Sequence, residues 1–230
     1  TFCQDELLSA GGQMHEGEMN TSIGLKGIPA LAEEVVVARD LYLAEYSDVA
    51  IHFSHITTKG SVDLIREAKK KGLKVTASVP ANHLSIKDEA IADFEPNYKV
   101  VTPFRSSEQL AALMAGVAGG TIDSMISDHE PCEIEAKFSE FSIAEAGIIA
   151  LETAFSTALE ALSNKMQLEE IIERFTTGPR TVLNLNTPTI KEGNKAEITI
   201  FTPTLKWVYE KDDIKSLSKN SPLIGTEMTG

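Results

Sequence analysis

Two residues close short apolar runs at positions where they could take part in hydrolytic chemistry. His55 ends the run AIHFSH, and Asp128 ends the run IDSMISD. Alternation places His55 on the same strand face as Phe53, and Asp128 on the same face as Ile126. A hydrolytic divalent metal needs a neutral nitrogen ligand and a carboxylate that orients or deprotonates the metal-bound water. His55 and Asp128 are therefore candidates for one metal-dependent centre.

A structural interpretation of these residues stays open. A histidine that ends a strand often makes a hydrogen bond within the fold, and an aspartate before a loop often caps a turn. We interpret His15, His52 and His83 as structural, because His52 faces away from His55, His83 lies in a loop, and His15 lies in a glycine- and methionine-rich stretch. Cys132 has no neighbouring general base in the sequence, so a nucleophilic role is not favoured.

The elements that would position the candidate residues alternate between strand-like and helix-like patterns, which is typical of parallel βα units. We expect strands over 48–55, 74–79 and 122–127, and helices over 61–71, 107–117 and 143–162. Catalytic groups of α/β barrels lie at the C-terminal ends of strands, so His55 and Asp128 can converge on one centre. About three βα units are visible, whereas a parallel barrel needs eight. Either another segment completes the fold, or the sequence begins inside a longer one.

The pattern changes in the tail. Helices are expected over 168–175 and 180–183, followed by short antiparallel strands in TIKEGNKAEITIFTP around a Glu-Gly-Asn turn. We therefore divide the chain into an α/β unit, residues 1–185, and a small β-rich unit, residues 186–230.

The bulk composition is that of a soluble globular protein, with 42% hydrophobic and 24% charged residues among 230. A net charge of −13 disfavours nucleic-acid binding. No apolar run approaches the roughly 20 residues that span a bilayer. Cys3 and Cys132 form no disulfide framework, so a cytoplasmic location is expected. The acidic surface is compatible with a homo-oligomer.

Several motifs, taken in their order and spacing, resemble the second half of a dihydroorotase. They are GIPALAEEVVVARDLYLAE, HFSHITTKGSVDLIREAKKKGLKVTASV, NYKVVTPFR, IDSMISDHEP, GIIALETA and the tail IKEGNKAEITIFTPTLKWVYE. Dihydroorotases are amidohydrolase-superfamily enzymes that interconvert N-carbamoyl-L-aspartate and dihydroorotate in pyrimidine synthesis. The resemblance implies an α/β fold of the metal-dependent-hydrolase (β/α)8 TIM barrel type, with residues 1–185 as its C-terminal half. Residues 186–230 would be part of the family's small β-sandwich domain.

The resemblance also implies roles for three residues. His55 falls on a zinc-ligand histidine in a turn where an aliphatic residue, two hydroxyl residues and a lysine follow it. Asp128 falls on the catalytic aspartate of the family's DHAPH motif, a position at the metal that moves a proton between the metal-bound hydroxide and the leaving amide nitrogen. Gly147 falls on the glycine of a substrate-binding loop. The other zinc ligands, a His-x-His strand and a bridging carboxylate or carboxylated lysine, belong to the family's first half.

Three positions depart from the family pattern. Phe2, in FCQD, stands where the family's HCED motif has a zinc-ligand histidine. Val101 replaces the substrate-binding asparagine of NPPLR, and Cys132 replaces the second histidine of DHAPH, which helps to hold the substrate. One lost hydrogen-bond partner typically costs about 2–3 kcal/mol of transition-state binding. A lost metal ligand costs more, so we expect zinc to be absent or reduced to one ion.

Three functional hypotheses follow from the resemblance. The first is a dihydroorotase-family pseudoenzyme with an impaired site, which serves as a structural partner of aspartate transcarbamoylase. The alternative is an active metal-dependent hydrolase of dihydroorotate or another cyclic amide, with one metal held by His55 and by groups outside this sequence. A third hypothesis, a non-enzymatic oligomeric relative of the dihydropyrimidinase type, is less favoured because NYKVVTPFR and SDHEP are closer to dihydroorotase.

Overall fold

The computed structural model describes residues 1–230 as short strands and helices in alternation. The strands are β1 (Met14–His15), β2 (Gly27–Ile28), β3 (Ile51–Phe53), β4 (Val75–Pro80), β5 (Ser124–Ile126), β6 (Lys206–Val208) and β7 (Glu227–Thr229). The helices are α1 (Glu6–Ser9), α2 (Glu18–Ile23), α3 (Leu31–Ser47), α4 (Lys59–Lys70), α5 (Ser107–Ala118), α6 (Ile134–Lys137), α7 (Ala154–Leu162), α8 (Leu168–Phe175) and α9 (Thr177–Val182). None of the helices is long and apolar enough to cross a membrane.

A three-stranded parallel sheet in the order β3–β4–β5 forms the centre. Phe2 adds a fourth position at the outer edge of β3, because it pairs in parallel with Ser54, whose N–H donates to the carbonyl of Thr1 at 2.9 Å. The parallel βα pattern predicted for residues 48–127 is therefore confirmed, with element bounds shifted by a few residues. The centre of the structure is thus a partial, open parallel α/β sheet.

Helices cover the sheet face that carries the apolar side chains of the strands. Phe53, Ala77 and Val79 belong to a core cluster of 24 buried residues that also includes the inner faces of α3, α4, α5, α7 and α8. Burial of a large aliphatic or aromatic side chain contributes roughly 1.5–3 kcal/mol. The other face of the strands is polar, since His52 hydrogen-bonds to the hydroxyls of Thr76 and Ser78.

The helix expected over 143–162 is wrong in its first half, because α7 begins only at Ala154. Ile148 is extended beside His129 in a parallel bridge, and its carbonyl accepts from the N–H of Glu130 at 2.8 Å. A continuous apolar run does not by itself distinguish a buried helix from a buried extended segment. Gly147 decides the conformation here, because its φ of 145° is incompatible with a helix.

The antiparallel strands expected in TIKEGNKAEITIFTP are also wrong. The turn at 192–194 is present, but residues 183–202 are exposed and form no strand. Alternation alone cannot form a strand without a neighbouring strand to pair with, and no segment of residues 1–230 pairs there. The observed pairing in the tail is antiparallel and joins β6 to β7. A β-sandwich is not seen, and the division at residue 185 stays a prediction.

Candidate active site

His55 and Asp128 meet at the C-terminal ends of β3 and β5. The Nε2 atom of His55 lies 2.7 Å from Oδ1 of Asp128. The side chain of His55 is 24% exposed to solvent and that of Asp128 is 17% exposed. Both residues have left-handed backbones, with φ of 58° and 53°. Such strain in residues other than glycine costs about 1–3 kcal/mol and is concentrated at functional sites. The structure thus brings together the two residues that the strand ends predicted, while their chemical roles stay predictions.

The charges of the site favour an ionised carboxylate. Burial alone would raise the pKa of Asp128, but the hydrogen bond from His55 and the charges of His55 and His83 hold that pKa below its usual value. The carboxylate accepts from His55, so the imidazole carries a hydrogen on Nε2, and its other ring nitrogen is Nδ1. That Nδ1 atom is buried and has no hydrogen-bond partner in the chain.

His83 lies near the pair and is fully buried, although the sequence places it in a loop. It belongs to the 3₁₀ turn Ala81–Leu84, which leaves β4 between the two strands that carry His55 and Asp128. Its Nε2 donates to the carbonyl of Thr102 at 2.8 Å, and burial lowers the pKa of His83 to about 4. The imidazole is neutral at physiological pH, and its interaction with Thr102 agrees with the structural interpretation.

Phe2 packs against the imidazole of His55. The two ring centroids are 5.3 Å apart and the ring planes meet at 69°, an edge-to-face contact. A phenyl ring, which has no metal-binding atom, thus lies beside His55 at the position where the family motif of the sequence analysis has a zinc-ligand histidine. Val101 is 43% exposed and presents no hydrogen-bonding side chain.

Cys132 is buried and packs against backbone carbonyls. Its Sγ lies 3.5 Å from the carbonyl oxygen of Ala146 and 3.8 Å from that of Glu130. Burial raises the pKa of the Cys132 thiol. A protonated thiol in such surroundings is a poor nucleophile, which agrees with the sequence interpretation.

Gly147 has a steric reason to be glycine. Its φ of 145° disfavours any other residue, and an added Cβ would lie 2.7 Å from Sγ of Cys132 and 2.9 Å from the carbonyl oxygen of Glu130. Its N–H donates to the carbonyl of Lys99 at 2.9 Å. Close packing therefore explains this glycine, and the substrate-binding role stays a prediction.

Asn220, which no sequence pattern singles out, ties the tail to the loop after Asp128. Its Oδ1 accepts from the N–H of Cys132 at 3.1 Å. Its Nδ2 donates to the carbonyls of Glu130 at 2.9 Å and Gly147 at 3.1 Å. An asparagine before Ser-Pro is typical of a turn, so only the tertiary structure shows that this amide bridges two arms of the loop.

A large cavity lies away from the His55–Asp128 pair. It has a volume of about 980 Å³ and borders Cys132, Lys137 and Asn220, with neither His55 nor Asp128 in its wall. Volume alone therefore does not identify the candidate site; the paired imidazole and carboxylate do.

The donor set of this chain does not complete a zinc site. No group of three or more histidine, cysteine, aspartate or glutamate residues among residues 1–230 is placed to hold a metal ion. His55 and Asp128 offer two donors, whereas catalytic zinc typically uses three protein ligands and structural zinc uses four.

The sequence comparisons agree with the motifs. A family model described as Dihydro-orotase-like matches residues 1–61. Over 228 residues the chain is 42% identical to a dihydroorotase of Geotalea daltonii, a match that covers 98% of this chain and 54% of that protein. It is 41% identical over 231 residues to a dihydroorotase of Syntrophus aciditrophicus, covering 100% of this chain and 54% of that protein. The resemblance to dihydroorotases is confirmed, and the chain spans about half the length of these relatives.

Solved structures give the same fold. An L-hydantoinase (dihydropyrimidinase) from Arthrobacter aurescens matches with a TM-score of 0.82 at 24% identity, covering 96% of this chain and 49% of that one. An inactive dihydroorotase-like domain of a Chaetomium thermophilum CAD-like multifunctional protein matches with a TM-score of 0.58 at 20% identity, covering 85% of this chain and 51% of that one. The partial α/β architecture is therefore shared with about half of each of these solved chains.

Proposed function

We propose that this chain forms half of a dihydroorotase-type barrel whose active site is impaired, in a protein tied to pyrimidine biosynthesis. The observation that carries the proposal is the contact of Phe2 with His55. At this position of the family motif an imidazole would bind zinc, and the phenyl ring cannot. Val101 and Cys132 weaken the same site, because neither offers the hydrogen bonds that the family pattern assigns to their positions.

The remaining groups are poorly suited to hydrolysis on their own. A general base works best when its pKa lies near the working pH. Asp128 has a pKa below its usual value because of His55 and His83, so its carboxylate is a weak base toward water. The His55–Asp128 bond fixes a proton between two groups without supplying an activated nucleophile. The site therefore keeps Asp128 as a group that can carry a proton, but it lacks the zinc-ligand histidine that the family motif has at the position of Phe2.

An active hydrolase of dihydroorotate or another cyclic amide is the second candidate. The left-handed backbones of His55 and Asp128 favour it, because such strain persists where the surrounding structure maintains a functional geometry. His55 and Asp128 would then bind one zinc ion together with donors outside residues 1–230. The two candidates differ in metal content and in turnover.

Both quantities are measured on the protein in its full natural length. After exhaustive dialysis, elemental analysis should find less than one zinc ion per chain, and neither hydrolysis of dihydroorotate nor cyclisation of carbamoyl aspartate should be detected. About two zinc ions per chain with turnover would overturn the impaired-site proposal. One zinc ion with turnover would favour the second candidate.

A gain-of-ligand variant sharpens the test. Phe2→His restores an imidazole beside His55 and should raise the zinc content. Phe94→His is the matched control, because Phe94 is 43% exposed, close to the 45% of Phe2, and the added imidazole would lie away from the pair. Equal zinc binding by both variants would show that any surface histidine suffices and would contradict the proposal.

The structural role beside aspartate transcarbamoylase is the finer part of the proposal. The solved fold of an inactive dihydroorotase-like domain shows that this architecture persists without activity in another protein. Co-elution of the protein with aspartate transcarbamoylase from the same organism in size-exclusion chromatography is the expected result. Separate elution at micromolar concentrations of both would contradict a stable complex.

A further inference from the structure

A buried cluster of charges lies next to the turn that follows His55. Glu33, in the first turn of α3, retains 2% of its exposure. Its carboxylate accepts from the N–H groups of Thr57 and Thr58, each at 3.1 Å. The hydroxyls of the same two threonines donate to it at 2.5 and 3.0 Å. One side chain thus accepts hydrogen bonds from four donors of the turn, and bonds to an ionised acceptor are the strong class.

Arg105 completes the cluster from the other side. It also retains 2% of its exposure, and its Nε donates to the hydroxyl oxygen of Thr57 at 3.2 Å. Its Nη1 donates to the carbonyl of Ile28 at 3.2 Å, and its Nη2 lies 3.8 Å from Glu33. The hydroxyl of Thr57 therefore accepts from the guanidinium and donates to the carboxylate. Its orientation is set by both charges.

These bonds lie two residues away from the strained backbone of His55. Ile56 is fully buried, and its N–H donates to the carbonyl of Ser78 at 3.0 Å. Residues 56–58 are therefore held in place by hydrogen bonds of both backbone and side chains. His55 connects this fixed segment to β3, and its backbone is left-handed. That conformation aims the imidazole at Asp128. A strained residue of this kind persists only when its surroundings over-determine it.

We propose that Glu33 and Arg105 are positioning residues, which hold the left-handed backbone of His55 and through it the His55–Asp128 hydrogen bond. This inference rests on the proposed function only in taking that pair as the site. The cluster touches neither the pair nor the space between its two side chains. Its effect on the site passes through Thr57 and Thr58.

The test follows the His55 imidazole directly, by proton–nitrogen NMR of the full-length protein at pH 7. Glu33→Gln keeps the shape of the side chain but replaces one acceptor oxygen by an amide donor that faces N–H and O–H groups. We expect the resonance of the His55 Nε2 hydrogen to disappear or to move by more than its linewidth. The His52 ring, bonded to Thr76 and Ser78, should keep its resonances.

The matched control is Glu34→Gln, one residue further along α3, which changes the same charge without touching Thr57 or Thr58. It should leave the His55 resonance in place. An unchanged resonance in folded Glu33→Gln would overturn the proposal, as would equal shifts in the two variants. If Glu33→Gln does not fold, Thr57→Val removes the bridging hydroxyl at nearly constant volume and should shift the same resonance; an unchanged resonance there would overturn the proposal equally.

The two proposals fail in distinguishable ways. Turnover of dihydroorotate with about two zinc ions per chain would overturn the proposed function and would leave the NMR comparison valid, because that comparison does not depend on activity. If the protein does turn over dihydroorotate, an unmoved His55 resonance in Glu33→Gln with unchanged kcat would overturn the positioning role alone.

Discussion

The two members of the candidate pair are held by different kinds of anchor. The turn after β3, with His55, is held by the buried charges of Glu33 and Arg105. The loop after β5, with Asp128, is held by the neutral amide of Asn220 and by close packing at Gly147. Removal of one partner from a buried charged set leaves the other uncompensated, whereas removal of a neutral amide leaves ordinary polar groups unpaired. The β3 side should therefore be the more fragile of the two.

The largest effect is expected from Glu33→Ala. The variant leaves the guanidinium of Arg105 buried without its carboxylate and leaves the donors of Thr57 and Thr58 without an acceptor. The free energy of unfolding should fall by about 3–5 kcal/mol, measured by urea denaturation. Glu34→Ala is the control and should cost about 0.5 kcal/mol or less. Equal losses in the two variants would remove the distinction between the two anchors.

Gly147→Ala should have the next largest effect, on the β5 side. It combines backbone strain at φ 145° with a collision against Cys132 and Glu130. We expect a loss of about 3 kcal/mol in the free energy of unfolding. Gly72→Ala separates the two causes, because Gly72 has a φ of 84° but open space where a Cβ would lie. That control should cost about 1 kcal/mol, the strain alone.

Asn220→Ala tests the tail's hold on the same loop. The variant leaves the N–H of Cys132 and the carbonyls of Glu130 and Gly147 without their side-chain partner. A loss of about 2–3 kcal/mol is expected in urea denaturation. Asn194→Ala removes an exposed amide bonded to Thr189 and should cost about 0.5 kcal/mol or less. A loss as large as that of Glu33→Ala would contradict the ranking of the two anchors.

Acid should weaken the charged anchor through His15. Burial, and then the charge of Arg105 3.3 Å away, lower the pKa of His15 from 6.5 to about 4. The unfolded chain then binds a proton more readily than the folded one between these values, so stability falls as the pH falls through this window. The cost is about 2 kcal/mol at pH 5 relative to pH 7.5.

The measurement compares unfolding free energies of the natural protein and of His15→Gln at the two pH values. The variant should lose about 2 kcal/mol less on acidification. Parallel losses in the two proteins would show that His15 does not contribute. His52→Gln is the control for loss of a half-buried histidine on the polar sheet face; burial also lowers the pKa of His52, so a protective effect smaller than that of His15→Gln is expected.

The sequence predicted the parts of the site that depend on local pattern. Strand alternation and the turn residues that follow placed His55 and Asp128 at the C-terminal ends of two strands, and the structure joins them across the end of β4. Glu33 could not be found in this way, because the adjacent pair Glu33–Glu34 is typical of any exposed first helical turn. Which of the two is buried depends on how α3 packs against the turn after β3.

Other expectations failed where a segment needed a partner that the sequence does not reveal. The run from Ile143 to Ala150 has no helical periodicity of its own, and its pairing with His129 decides its extended form. Residues 190–200 alternate like strands, but pairing requires a neighbour. Arg105 is missed for a similar reason, since a guanidinium is rarely buried and only its four surrounding groups show why this one is.

The exposed stretch 183–202 connects the α/β part of the chain to its tail, and these two parts are also joined by non-covalent contacts. Beyond it, Tyr209, Ile214 and Met228 pack against Ile149, and Asn220 binds the loop after Asp128. A protease that cut the chain within 183–202 would leave both pieces associated, since covalent continuity there contributes little to the packed structure.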